Sequence, residues 1–287
     1  MTSPATARRL WALAEPYHAL LYFAAECLGA SADIGLHGFW NGYFAVRAAP
    51  LGAVGPEVVT ATFYNFAPGF VARRVPEIWT ATTPDAALQA RLAGIDRAAR
   101  RGLGEQWPDS AEAAEAAELA ARAADGVDLP GRPLAAANRG LPVPAEPHLA
   151  LWQSLTTLRE HRGDGHNAAL LMREIDGVGA HVLAAAAGRS TREWLQKARG
   201  WHDEAWDAAG AELTERRWLD EDGLTAEGLA IVAAVEADTD RLALAPWQAL
   251  GDAGCDRLAA LLTPLRRQVV AAGEWPAGNP IGVPEPE

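Results

Sequence analysis

The stretch Leu213–Asp240, LTERRWLDEDGLTAEGLAIVAAVEADTD, decides the fold. Its first residues close a helix that begins at Asp203, on which Ala205, Trp206, Ala209 and Leu213 share one face. A short extended segment at Trp218-Leu219-Asp220 turns at Asp222-Gly223 and runs into a capped helix. Upstream, Gly200-Trp201 turns the chain, and Ser190 or Thr191 caps a short helix that passes Trp194 and ends at Arg199. His166–Ala187 reads as an apolar-periodic helix stopped by Gly188. Three helices, a small hairpin and a long following helix give the outline of a winged helix.

Further out, the segment from Leu129 to Pro147 carries five prolines (130, 133, 142, 144 and 147) and reads as a connector without helix. Before it, Ser110 caps an Ala/Glu-rich helix to Ala124. These signals divide the chain into a first helical unit (1–125), a connector (126–147), a second unit (148–273) and a proline-rich tail (274–287) trailing over the surface. The two units look related. Leu10-Trp11 and Leu151-Trp152 each open a helix, and Gly38 to Trp79 is the same distance as Gly177 to Trp218. Asp96-Arg97 and Asp240-Arg241 then occupy similar places. The expected fold is mainly α, a pseudo-duplicated tandem of winged-helix-like (helix-turn-helix) domains with small hairpins, the first-half hairpin falling near Ile78–Thr83.

Composition narrows the function. The 287 residues are 49% hydrophobic, enough for a sizeable core. The net charge of −12 works against nucleic acid and anionic membranes, which are held by Lys and Arg. The helix and wing at 201–223 that would meet DNA carry eight acids (Asp203, Glu204, Asp207, Glu212, Glu215, Asp220, Glu221, Asp222) against Arg216 and Arg217. Each acid would repel phosphate, and no arginine is placed to read a guanine edge. Cys27 and Cys255 form no disulfide framework and no cysteine metal site. No secretory leader and no apolar run of about 20 residues is present, so a cytoplasmic setting is expected. No phosphate loop, dinucleotide fingerprint, nucleophile elbow or zinc-protease motif occurs, which leaves any cofactor unspecified.

Two segments carry residue types suited to chemistry. In LREHRGDGH (158–166), His161 and His166 flank two glycines, with Arg162 and Asp164 between them. As a glycine turn this offers two titratable groups near neutral pH, an orienting carboxylate and room for a ligand to approach the backbone. The same residues also suit a capped helix joint, and no third nitrogen ligand is spaced for a metal. In the first half, Glu15, His18 and Tyr22 share a helix face, followed by Phe39-Trp40-Asn41-Gly42-Tyr43-Phe44, Arg47 and Phe63-Tyr64-Asn65-Phe66. Aromatic walls with a few polar handles suit a small-molecule pocket, although aromatic residues at helical spacing also build cores. Arg47 needs a partner in such surroundings, and Glu15 is the first candidate.

Leu213–Asp240 resembles the wing and long helix of the MarR-type regulators. Together, Arg8–Phe23 (RRLWALAEPYHALLYF), Gly38–Gly52 (GFWNGYFAVRAAPLG), Phe63–Phe66 and HRGDGH (161–166) resemble an actinobacterial family known by a helix-turn-helix label and no assigned activity. The resemblance implies the tandem helical fold and brings no catalytic roles. The function expected is a small-molecule binder, by association for a natural product, with Glu15, His18, Tyr22, Trp40, Tyr43, Phe44, Arg47, Tyr64, Asn65 and Arg162 around the ligand. The ligand would lie between the first-half aromatics and a His161–His166 turn. The alternatives are an enzyme using His161, Asp164 and His166, a MarR-like regulator, and a base-excision enzyme of tandem winged-helix type. A small organic ligand is the expected partner, without nucleic acid or membrane, and a homodimer is left open.

Overall fold

The structure is a computed structural model that describes residues 1–275 and 283. Its first part runs through α1 (Pro4–His18), α2 (Leu20–Phe23), α3 (Ala25–Asp33), α4 (Phe39–Ala48), α5 (Pro56–Phe63), α6 (Pro68–Ala72), α7 (Val75–Ala81), α8 (Pro84–Leu103) and α9 (Ala111–Asp125). There follow α10 (Pro133–Arg139), α11 (Pro147–Leu171), α12 (Gly177–Ala186), α13 (Arg192–Arg199) and α14 (Asp203–Glu215). The hairpin strands β1 (Leu219–Asp220) and β2 (Gly223–Leu224) precede α15 (Ala226–Leu242), α16 (Ala245–Leu250) and α17 (Asp252–Ala271). β1 and β2 pair antiparallel, Leu219 opposite Leu224, and are the only sheet among the described residues.

The expected order of three helices, hairpin and long helix is present as α12–α13–α14–β1–β2–α15. Thr191 accepts from the Trp194 amide, and Thr225 from the Gly228 amide, so each supplies an orphan donor of its helix with a partner. Val178, Val182, Leu195, Trp206, Leu213 and Val235 close one small core among these elements.

Other expectations are corrected. The connector holds a helix, α10, because Pro133 stands in its first turn, where a missing N–H costs nothing; Pro147 does the same for α11. The first-half hairpin near 78–83 is absent, since α7 occupies that place with Ile78 buried. Trp79 is therefore helical whereas Trp218 precedes a strand. The helix read at 166–187 is two helices, broken where Glu174 takes a φ of 53° and Asp176 caps α12. The tail begins on the core: Trp275 is buried and meets Phe23 edge-on at 6.1 Å. The rest of that tail lies outside the described residues, apart from a buried Val283.

The main correction concerns HRGDGH. It is no turn. It lies inside α11, which is buried on nearly every side and packs against α1, α8, α9, α10 and α15. A helical glycine costs about 1 kcal/mol relative to alanine, so two within six residues read as a break. Gly165 is required by packing instead: a Cβ there would come within 2.8 Å of Arg132 Nη1 and 3.1 Å of Leu242 Cβ. The largest apolar cluster spans the connector, joining Leu10, Tyr17 and Ile95 to Trp152, Leu155, Leu258 and Leu262. Trp152 donates its indole N–H to the His18 carbonyl, and Tyr17 its hydroxyl to the His148 carbonyl. No helix among the described residues is long and apolar enough to cross a membrane.

Candidate functional site

α4 presents Phe39, Trp40, Tyr43 and Arg47 on one side, and α2 adds Tyr22 and Phe23. After α5, Tyr64 takes a left-handed φ of 59° and reverses the chain, setting Phe63, Asn65 and Phe66 beside these rings. The Asn65 carbonyl accepts from both His181 Nε2 (3.0 Å) and Trp201 Nε1 (2.9 Å), pinning this segment to the second part of the chain. Facing the aromatics, α11 contributes Arg159, Arg162, Gly163, His166 and Asn167, positions i, i+3, i+4, i+7 and i+8 of one helical stripe. His181, Arg189, Trp194 and Arg199 come from α12, α13 and the turn between them; Glu236 and Thr239 come from α15. Together they enclose a cavity of about 340 Å³, within the range that holds small organic ligands. Phe39 and Trp194, both about 40% exposed, stand where it meets solvent.

The ion pairs differ from expectation. Arg47 does not meet Glu15. Its Nε and Nη2 engage both oxygens of Glu160 (3.2 and 3.1 Å), Nη1 reaches the Tyr43 hydroxyl (3.0 Å), and its guanidinium lies 4.2 Å from the Phe63 ring centre. Glu15 pairs with Arg159 (3.4 Å) and accepts from the Trp11 indole (2.8 Å). Arg159 also touches Glu160. Burial raises Glu160, but Arg47 and Arg159 outweigh it and hold the carboxyl at about 2. Burial also raises Glu15, with Arg159 opposing. Arg162 bonds Asp240 at 2.7 Å and covers the Trp11 ring, while Arg189 bonds Glu236 at 3.2 Å.

Arg199 is different. Among the described residues it has no carboxylate partner; Nη1 reaches the Ala198 carbonyl at 3.3 Å, and Nε is buried without a hydrogen bond. Its guanidinium lies over Phe66 (4.7 Å), Trp194 (5.7 Å) and Trp40 (5.9 Å). Burial holds it below the usual arginine value, with Tyr43 opposing and Arg47 adding to the shift. On the same wall the Asn65 Oδ1 is buried with no partner.

The two cavity histidines are neutral, and each donates one ring N–H. Thr239 donates its hydroxyl to the Val235 carbonyl (2.7 Å), so it accepts from His166 Nδ1–H (2.9 Å), and His166 Nε2 keeps a lone pair unused by the protein. Burial lowers the His166 pKa, with Glu236 opposing and Arg162 and Arg189 adding to it. His181 donates Nε2–H to a carbonyl; burial and Arg199 push it down to about 3.

Of the residues singled out in the sequence, Tyr22, Trp40, Tyr43, Arg47, Asn65, Arg162 and His166 line the cavity. Glu15 and His18 sit behind it, around a void of about 20 Å³. His18 is stacked on Trp152, bonded to Thr156 and Tyr22, and pushed by burial and Arg159 down to about 3. Phe44 is fully buried in the first-part core. Tyr64 spends its hydroxyl on the Ile175 carbonyl. His161 and Asp164 point elsewhere: His161 bonds Asp128 at 2.5 Å, and Asp164 accepts from the Ala135 amide at 3.0 Å, tying α10 to α11. A helix turns about 100° per residue, so His161, Asp164 and His166 cannot converge as an acid–base set. Arg159, Asn167, His181, Trp194, Arg199 and Glu236 were missed. Arg159 and Asn167 follow from the stripe once 158–166 is read as helix; Arg199 carried no local signal.

Among comparisons with known proteins, the profile of the Helix-turn-helix family matches residues 7–276. No curated protein and no solved structure matches the chain. That match spans nearly the whole sequence, and with the mainly helical architecture it shows that the chain belongs to the Helix-turn-helix family.

Proposed function

We propose that this protein binds a small organic molecule in the cavity between the first-part aromatics and the α11 stripe, on a scaffold whose second part is a winged helix. The observation that carries the reading is the meeting of two inventories. The rings come from α2, α4 and the turn after α5, and the polar groups from α11–α13 and α15. A core has no use for an unpaired arginine, an unpartnered amide oxygen and a histidine lone pair around an opening. The work of the site is binding rather than acid–base catalysis, because His161 and Asp164 are engaged away from the cavity.

Gly163 supplies the test. It lines the cavity, and a Cβ there meets only ordinary contacts, Glu160 Oε2 at 3.5 Å and Arg159 Nη1 at 3.8 Å. Gly163→Leu therefore fills the opening without disturbing the helix. Native mass spectrometry after incubation with a metabolite extract should show a bound small molecule on the parent and none on this variant. Equal capture by both, or none by the parent, would overturn the reading.

A second reading, a transcription regulator, is favoured by the family's description. Against it, all eight acids of α14 and the hairpin are exposed, so the surface a winged helix offers to DNA is negative. A sequence-specific footprint on promoter DNA at physiological salt would make the regulator the better reading, with the cavity as its sensor.

A further inference from the structure

Resting on the cavity as a small-molecule site, the charge pattern says what kind of molecule. Five arginines line the space, and four of them have carboxylates: Arg47 and Arg159 share Glu160, Arg159 also holds Glu15, and Arg162 and Arg189 use Asp240 and Glu236. Arg199 has none among the described residues. Arg91, also buried and bonded to no carboxylate among the described residues, is not comparable. Its guanidinium is taken by the Gln153 and Asn138 amide oxygens and the Val46 carbonyl, and it does not reach the cavity. A guanidinium held over rings, with one carbonyl as its hydrogen-bond partner among the described residues, has no opposite charge beside it, and an anion in the cavity would supply one. The rings around it are Trp40, Phe66 and Trp194, which offer faces and edges to a flat partner.

We propose that the ligand is a planar aromatic carboxylate, its anionic group received by Arg199 and its ring by Trp40 and Phe66. Arg199 is then a binding residue whose partner arrives with the ligand.

Calorimetric titration with naphthoate, naphthamide and cyclohexanecarboxylate tests this on the full chain. Naphthoate should bind the parent about ten- to a hundredfold more tightly than naphthamide, the usual range for a charge-assisted hydrogen bond. Arg199→Gln should remove that advantage and bring the two probes level, and cyclohexanecarboxylate should bind more weakly than naphthoate. Arg199→Gln and Arg199→Met should both melt no lower than the parent, since an uncompensated cation is removed; a lower melting temperature would mean a structural role and overturn the inference. So would naphthoate and naphthamide binding alike, or cyclohexanecarboxylate matching naphthoate. In either case, loss of those probes in Gly163→Leu would leave the cavity reading standing. Naphthoate held equally by parent and Gly163→Leu would lie outside the cavity and overturn both. Failure of naphthoate to bind at all overturns the inference alone and leaves the extract experiment to judge the cavity.

Discussion

The two faces of α11 between Arg159 and Asn167 use the same kinds of residue for opposite ends. One face carries Arg159, Arg162, Gly163, His166 and Asn167 to the cavity. The other carries His161, Asp164 and Gly165 into contact with Asp128, the start of α10 and Leu242. Each face has a histidine and a glycine. His161 bonds a carboxylate away from the cavity, whereas His166 lines the cavity with Nε2 unused by the protein. Gly165 is there because atoms press against it, and Gly163 is there where nothing does. Residue type does not decide between structure and site; angular position on the helix does.

The largest effect expected is on Glu160, which holds both Arg47 and Arg159 beside the cavity face. Glu160→Gln leaves two buried guanidinium groups without their shared charge and should cost about 3–5 kcal/mol. The carboxyl is held at about 2, below its ordinary 4.5. Its contribution is complete above pH 4.5 and is lost as pH falls through 2, so denaturant midpoints of parent and variant should converge over that acid range. A gap that persists unchanged to low pH would break the assignment.

Next in size is the contrast between the glycines. Gly165→Ala drives a methyl group against Arg132 and Leu242 and should destabilise by about 1–3 kcal/mol. Gly163→Ala meets only ordinary van der Waals contacts and should do no harm. If the two variants melt alike, the separation of faces is wrong.

Asp164 gives a subtler contrast, opposite in sign to Glu160. Burial pushes its carboxyl up to about 7 from an ordinary 3.8, against the hydrogen bond from Ala135. Stability linked to its protonated form is full below pH 3.8 and is lost as pH rises to 7. Asp164→Asn keeps an acceptor for the Ala135 amide and removes that titration. The variant should gain on the parent steadily between pH 4 and 7 and then run parallel. A difference independent of pH would remove Asp164 from the account. The smallest effect is the gain from Gly163→Ala, up to about 1 kcal/mol from helix propensity, visible as a slight rise in melting temperature.

The sequence by itself determined the helices with their own local signals: the caps at Ser110, Thr191 and Thr225, the Asp222-Gly223 hairpin, and the aromatic run from Phe39 to Phe44. Such features depend on atoms a few residues apart, so they are written locally. It also set the acidity of α14 and the hairpin. Only the tertiary structure decided that HRGDGH is helix, because α15 and Arg132 close on Gly165 and packing overrides its poor propensity. Likewise only it decided that Arg47 pairs with Glu160, 113 residues away, and that Arg199 meets no carboxylate among the described residues. Charge partners are chosen by distance in space. Along the sequence Glu15 and Glu160 look equally available to Arg47, and the fold brings only Glu160 within reach of its guanidinium.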